Sequence, residues 1–311
     1  MSRRGAALFL TLSLIWGLPY LLIRVAVREV DPATLVFLRT APAAIILIPL
    51  AVRSGALRGL RGKWHWLALY SVVEFGVPWL LMSNAEQHLT SSLTGMLVAT
   101  VPLIAAVAAR FTHPDEQFGA SRVTGLLLGA LGVALLVGFD VAGSNWVWIL
   151  AMLVVAVGYT FGPIIISLRL QGTQGIAVVA SSIALVALLY TPYGATHLPA
   201  HLSATAAWAI VGLVGITAVG FLVFFELIKE IGPSRTVVVT YLNTAVAVVL
   251  GVVALNEPLT TGLLVGFPLI IAGSVLATRR PAAAEVSEVS PTPPSRLPRS
   301  WRRARSSAPN R

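Results

Sequence analysis

The chain has no cysteine, so a disulfide framework, a thiolate metal site and a thiol nucleophile are all excluded. Charge is almost as scarce. Only 11% of the 311 residues are Asp, Glu, Lys or Arg, too few to coat the surface of a water-soluble domain. No Gly-Lys-Ser/Thr follows a strand-like segment, which removes the phosphate loop an ATP-driven pump would need. The five histidines, at 65, 88, 113, 197 and 201, fall at loops or span ends, and none forms a His-Glu-x-x-His pair. Only His197 and His201 have helical metal spacing. We therefore expect no metal, no cofactor and no enzymatic centre, since a membrane enzyme needs acid/base groups or ligands gathered at one depth.

What is present is apolar sequence, at 57% of residues, with a mean hydropathy of +0.85. It runs the length of the chain up to Arg279 instead of gathering in cores, as expected of a polytopic membrane protein. About 20 apolar residues cross a bilayer core as a helix. Ten such segments can be placed, over 5–27, 32–52, 64–82, 89–110, 122–139, 146–168, 175–193, 205–228, 234–255 and 259–278. They are continuous runs without the alternation of barrel strands, so the expected class is an all-α integral membrane protein. The apolar stretch after Met1 exceeds a signal peptide and is read as a retained first helix.

Lys and Arg set the orientation. With the N-terminus inside, the inner loops collect Arg3, Arg4, Arg53, Arg58, Arg61, Lys63, Arg110, Arg122, Arg169, Lys229 and Arg235, against Arg28 outside. Both termini are expected in the cytoplasm, in the cell membrane. Trp64, Trp66, Trp79, Trp146 and Trp208 fall near span ends, as headgroup anchors do. Residues 279–311 carry six prolines and eight arginines against Glu285 and Glu288. This composition predicts a disordered basic tail attracted to anionic lipid. Lipid accounts for the net charge of +10 without nucleic acid as a partner.

An internal repeat recurs at a spacing near 142 residues: Trp66 matches Trp208, Asp115 matches Glu257, and Trp16-Gly-Leu-Pro-Tyr-Leu-Leu-Ile-Arg24 matches Phe161-Gly-Pro-Ile-Ile-Ile-Ser-Leu-Arg169. A unit of five spans is odd, so its second copy enters the membrane in the opposite sense. The expected organisation is residues 1–140 and 141–278 as inverted five-helix halves, followed by the tail, a plan that recurs in secondary transporters.

Glu74 is the only formal charge between Trp64 and Met82, near mid-membrane by helix rise. A charge there must be neutralised, paired or wetted. Arg39 lies at matching depth on the second span and is its candidate partner. The pair is read either as a substrate and proton site or as a fixed salt bridge. Pro42 and Pro78 free the carbonyls of Leu38 and Glu74, which points to a hydrated interior. Trp16, Tyr20, Tyr159, Tyr241 and Asn243 are mid-span polar or aromatic groups that line a cavity or simply pack. Asp115, Glu116 and Glu257 precede helices and are assigned to capping and gating. Arg24 is assigned to snorkelling and Glu226 to interfacial charge. The Gly125/Gly129, Gly158/Gly162 and Gly262/Gly266 pairs are close-packing faces, with a homodimer seam as an alternative use.

Taken together, Trp16-Gly17 with Arg24, Phe37-Leu-Arg39, Ser91-Ser-Leu-Thr-Gly with Pro102, Tyr241-Leu-Asn243, Asp115-Glu116 with Gly125, and Leu255-Asn-Glu-Pro-Leu-Thr260 with Gly266 resemble the EamA-type transporters of the drug/metabolite transporter superfamily. The resemblance covers about residues 5–278. It implies a ten-helix inverted repeat that moves small metabolites without ATP. Thr244 stands where the family usually has proline, so a weaker kink is expected there. The expected function is a secondary transporter, an exporter of an amino acid, nucleoside or amphipathic compound. A flippase of lipid or of a lipid-linked intermediate, or a membrane enzyme, is the alternative.

Overall fold

The computed structural model describes residues 2–112, 120–140, 145–231 and 239–278. Asp115, Glu116, Arg235 and the 279–311 tail lie outside them. Every regular element among the described residues is helical: α1 (Arg3–Ala26), α2 (Pro32–Arg53), α3 (Trp64–Ser71), α4 (Val77–Ala85), α5 (Ser91–Val98), α6 (Val101–Thr112), α7 (Ala120–Asp140), α8 (Trp146–Arg169), α9 (Gly175–Gly194), α10 (Ala204–Ile231), α11 (Val239–Leu255) and α12 (Thr261–Thr278). Seven helical segments are long and apolar enough to cross a membrane, and three shorter apolar helices, within 120–136, 239–255 and 261–277, accompany them.

Local chemistry sets the starts and breaks. Ser2 caps α1, accepting from the Gly5 N–H at 2.9 Å. Asp31 caps α2, accepting from Ala33 at 2.9 Å, and Pro32 fits the first turn because its missing N–H would be unpaired there. The third segment is not one regular helix. Pro78 has no N–H to give the Glu74 carbonyl, and the chain absorbs this as a π-turn over Val72–Gly76 between α3 and α4. The predicted span over 89–110 is also interrupted, at residues 99 and 100, because Pro102 leaves the Val98 carbonyl without its helical donor. Thr244, in contrast, stays inside an unbroken α11, its hydroxyl donating to the Thr240 carbonyl at 2.9 Å and reaching that of Gly95 at 3.3 Å.

Helices pack in a definite set of pairs: α1 with α10 and α11, α2 with α9 and α10, α4 with α8, α5 and α6 with α8, α3 with α9, and α7 with α12. Glycines decide the closest approaches. A Cβ on Gly132 would meet the Gly266 carbonyl at 2.8 Å, and one on Gly273 would strike the backbone of Gly125 and Gly129 at 2.6 Å. Gly125 and Gly129 thus serve the α7–α12 seam within one chain. At one end of α1, Arg4 pairs with Glu226 at 3.1 Å and Ser2 donates to Glu230 at 2.5 Å. At the other end, the Glu29 carboxylate accepts from the Ser203 N–H at 2.8 Å and its hydroxyl at 2.6 Å.

Candidate functional site

Arg39 sits on α2 with only 7% of its surface exposed. Its Nε donates to Thr217 Oγ1 on α10 at 2.9 Å, and its guanidinium carbon lies 3.5 Å from the Trp79 ring centroid. The Trp79 side chain lies next to the Tyr159 hydroxyl on α8. Side chains from three other helices thus surround one cation. Tyr20 on α1, 5% exposed, completes the group, within electrostatic reach of Arg39 and Tyr159. The Nη end of Arg39 has no hydrogen-bond partner among the described residues. A guanidinium in this setting, held by one neutral acceptor and a π face, retains a planar fork suited to a carboxylate or phosphate.

Glu74 does not pair with Arg39. The π-turn inserts a residue, which turns the face of the helix by about 100°, and the Glu74 carboxylate packs into the Gly162 notch on α8. Its Oε2 is buried without a hydrogen-bond partner. Gly158, one turn earlier, leaves room for the Val73 carbonyl, which a Cβ would meet at 2.5 Å. Gly158 and Gly162 are therefore a berth for the π-turn. Tyr159, between these glycines on α8, feels both Glu74 and Arg39. The fixed Arg39–Glu74 salt bridge is absent, and the two groups share Tyr159 instead.

The remaining candidates separate by position. Trp16 packs edge-on against Phe221 at 5.7 Å and against Phe224 at 4.9 Å, over Gly220. Phe221 in turn meets Phe75, itself 5.1 Å from Trp79, so an aromatic row connects α1 to the Arg39 cluster. Asn243 is buried on α11, its side-chain oxygen near the Thr244 hydroxyl at 3.3 Å and its backbone carbonyl against Gly17. Tyr241 is half-buried on the same helix. Glu257 caps a helix, but not the one that follows it. Its carboxylate accepts from the N–H groups of Ser91 at 2.7 Å and Ser92 at 3.0 Å and from the Ser92 hydroxyl at 2.6 Å, holding the start of α5. Thr260 caps α12 itself, accepting from Leu263 at 3.2 Å.

Two expectations about interfacial side chains are corrected. Trp79 is 4% exposed beneath Arg39, whereas Trp64, Trp146 and Trp208 are open at 50%, 58% and 73%. Cation–π contact in a dry interior accounts for that choice. Arg24 does not reach for headgroups but donates to the backbone carbonyl of Glu86. Glu86 is the residue that sequence reading overlooked. It directly follows α4, with 0% exposure and neither carboxylate oxygen hydrogen-bonded. Its sequence setting, Asn84-Ala-Glu-Gln-His88, looks like a solvated turn and gives no sign of burial. His197 stacks on Tyr193 at 4.0 Å, and no cluster of three potential metal ligands occurs among the described residues.

The EamA-like transporter family matches the sequence twice, over residues 3–138 and 146–279. The chain belongs to this family. Among EamA-type relatives, it is 25% identical over 295 residues to the uncharacterized transporter YvbV of Bacillus subtilis, covering 93% of this chain and 96% of that one. It is 28% identical over 286 residues to the uncharacterized inner membrane transporter YedA of Escherichia coli, covering 88% and 89%. A solved crystal structure of a protein 20% identical in sequence superposes with a TM-score of 0.63 over 88% of this chain and 96% of that one, which supports the fold. The EamA-like chain is thus a multi-pass membrane protein whose relatives are named as transporters.

Proposed function

We propose that this chain is a secondary active transporter that exports a small organic metabolite by alternating access, with Arg39 holding an anionic group of the cargo. The observation carrying this reading is the buried guanidinium shared by Trp79 of the first family match and Thr217 of the second, with its fork unfilled. Tyr20 and Tyr159 lie near the guanidinium, and Glu74 acts on the other side of Tyr159. A site between repeats that rock against each other is the expected location for cargo.

Ten crossings arise if α3 with α4, and α5 with α6, each count once and the three shorter apolar helices also cross. The halves then exchange five elements in order, and the most extensive helix pairings map onto one another under that exchange. Packing of α1 on α10 corresponds to α8 on α4, α1 on α11 to α8 on α5 and α6, and α2 on α10 to α9 on α3. Pairs α2–α9 and α7–α12 correspond to themselves. That pattern supports an inverted repeat of 1–140 and 141–278, while the proposal of cytoplasmic termini in the cell membrane rests on the Lys and Arg distribution, and that of lipid attraction on the basic composition of 279–311. A homodimer would need a surface other than the α7–α12 glycines.

Reconstitution into liposomes with a metabolite panel tests the reading. Wild type should move at least one anionic or zwitterionic cargo, and Arg39→Ala should abolish that flux. Glu74→Gln, which removes the carboxyl that acts on Tyr159, should alter KM or rate. Undiminished flux in Arg39→Ala removes the site from the pathway. A flippase is the second reading, because an apolar groove of about 470 Å³ lined by Leu103, Val107, Leu127 and Val133 opens between α6, α7 and α8. Fluorescent-lipid scrambling in the same liposomes distinguishes it.

A further inference from the structure

Glu86 has a role that the cargo site does not use. Its carboxyl is enclosed at the α4–α5 turn, and neither Oε has a hydrogen-bond partner. The charged and titratable groups around it come from three other elements: Tyr20 and Arg24 on α1, Arg39 on α2, and Glu257 ahead of α12. None of their side chains is hydrogen-bonded to the carboxyl. Arg24 is engaged by the Glu86 backbone carbonyl, Arg39 by Thr217 and Trp79, and Glu257 by Ser91 and Ser92. His88, two residues along, is exposed and stacks on Trp148 at 4.2 Å. Burial pushes the Glu86 carboxyl well above its ordinary value of 4.5, Arg24 and Arg39 pulling the other way and Glu257 reinforcing the rise.

The surroundings also say which cation such a carboxyl accepts. A bound sodium or calcium ion needs several oxygen ligands, and two guanidinium groups nearby repel it. A proton needs one oxygen and no further ligands. The position matters as well, because Glu257 from the second family match clamps α5 of the first beside Glu86. An end of the bundle that opens must break that clamp and admit water.

We propose that Glu86 is the proton-coupling residue of this protein, protonated while the Glu257 end of the bundle is closed and releasing that proton to water when the end opens. The proton leaves the carboxyl oxygen for the vestibule, and the carboxylate formed is then solvated and faces Arg24. The inference rests on the secondary-transport reading and names its coupling ion. Closed and open forms exchange one proton, so the closed-to-open ratio falls by up to about tenfold per pH unit, between the ordinary carboxyl value and the raised one. Low pH favours closure, and raising the pH favours opening.

The absence of cysteine makes the test direct, since Arg28→Cys and Leu259→Cys supply the only labelling sites on the two sides of this end. Spin-label distances in the full-length protein in lipid nanodiscs, between pH 5 and 9, should shift from a short to a long population as pH rises. Glu86→Gln should hold the short distance at every pH. Glu86→Asp keeps a carboxyl with a shorter reach and should titrate with a displaced midpoint, which decides the matter if Glu86→Gln does not fold. A wild type without a pH response, a Glu86→Gln response equal to wild type, or an unmoved Glu86→Asp midpoint overturns the proposal. Cargo flux with pH-independent distances would leave the transporter reading standing and remove Glu86. A Glu86-dependent titration without flux of any cargo would do the reverse.

Discussion

Replacing Glu257 with alanine should detach the start of α5 from the segment before α12. The carboxylate takes two backbone N–H groups and one hydroxyl, at 2.7, 3.0 and 2.6 Å. Hydrogen bonds to a charged group contribute about 1.5–3 kcal/mol each, but Glu257 is only half-buried and water replaces part of what is lost. A single N-cap is worth about 0.5–2 kcal/mol. Between these bounds the expected loss is about 3 kcal/mol. Glu257→Gln keeps one acceptor oxygen and turns an amide toward a donor, so about half of that loss is expected. Reversible unfolding in mixed micelles gives the stability difference, and hydrogen exchange of a peptide spanning Ser91 and Ser92 locates it. A Glu257→Ala protein within about 0.5 kcal/mol of wild type and with unchanged exchange at Ser91 and Ser92 would refute the clamp.

Gly158→Ala and Gly162→Ala should differ although they are one turn apart. The first places a Cβ 2.5 Å from the Val73 backbone carbonyl, which cannot move freely, and overpacking should cost about 1–3 kcal/mol of stability. The second meets the end of the Glu74 side chain, so thermal stability should change little while transport changes as in Glu74→Gln. Gly132→Ala should force α7 from α12 at the Gly266 carbonyl and lower stability by about 1–3 kcal/mol, measured by the same unfolding assay. Glu29 lies below its ordinary carboxyl value of 4.5 because the Ser203 hydroxyl and N–H donate to it. Its folded value being depressed, the clamp is fully present above pH 4.5 and loosens as pH falls through the folded value. The protection of the Ser203 amide, taken relative to its intrinsic exchange rate at each pH, should fall in that acid range, and Glu29→Gln should abolish that change in protection.

Helical class and the apolar segments were legible in the sequence because each is a local property. A run of apolar residues long enough to satisfy its own backbone in lipid has few alternatives to helix. Pro78 likewise announced the break in the third span, although not its form, whereas Pro42 leaves α2 unbroken and the break before Pro102 interrupts a span read as continuous. The chemistry of Glu257 was also legible, since a carboxylate ahead of a helix seeks N–H donors, but the helix it caps lies 165 residues earlier in the chain.

The sequence by itself determined that the chain is helical with several segments apolar enough to cross a membrane, and that Arg39 and Glu74 within those segments must find special surroundings. Only the tertiary structure decided what those surroundings are. Depth along a helix follows from counting residues, but azimuth depends on every break before it, and the π-turn at Val72–Gly76 rotates Glu74 to Gly162 and away from Arg39. For the same reason Trp79 left the headgroup zone for a guanidinium, and Glu86, which reads as a loop residue, became fully buried. Burial of a turn is fixed by the helices that close over it, and here those come from distant parts of the chain.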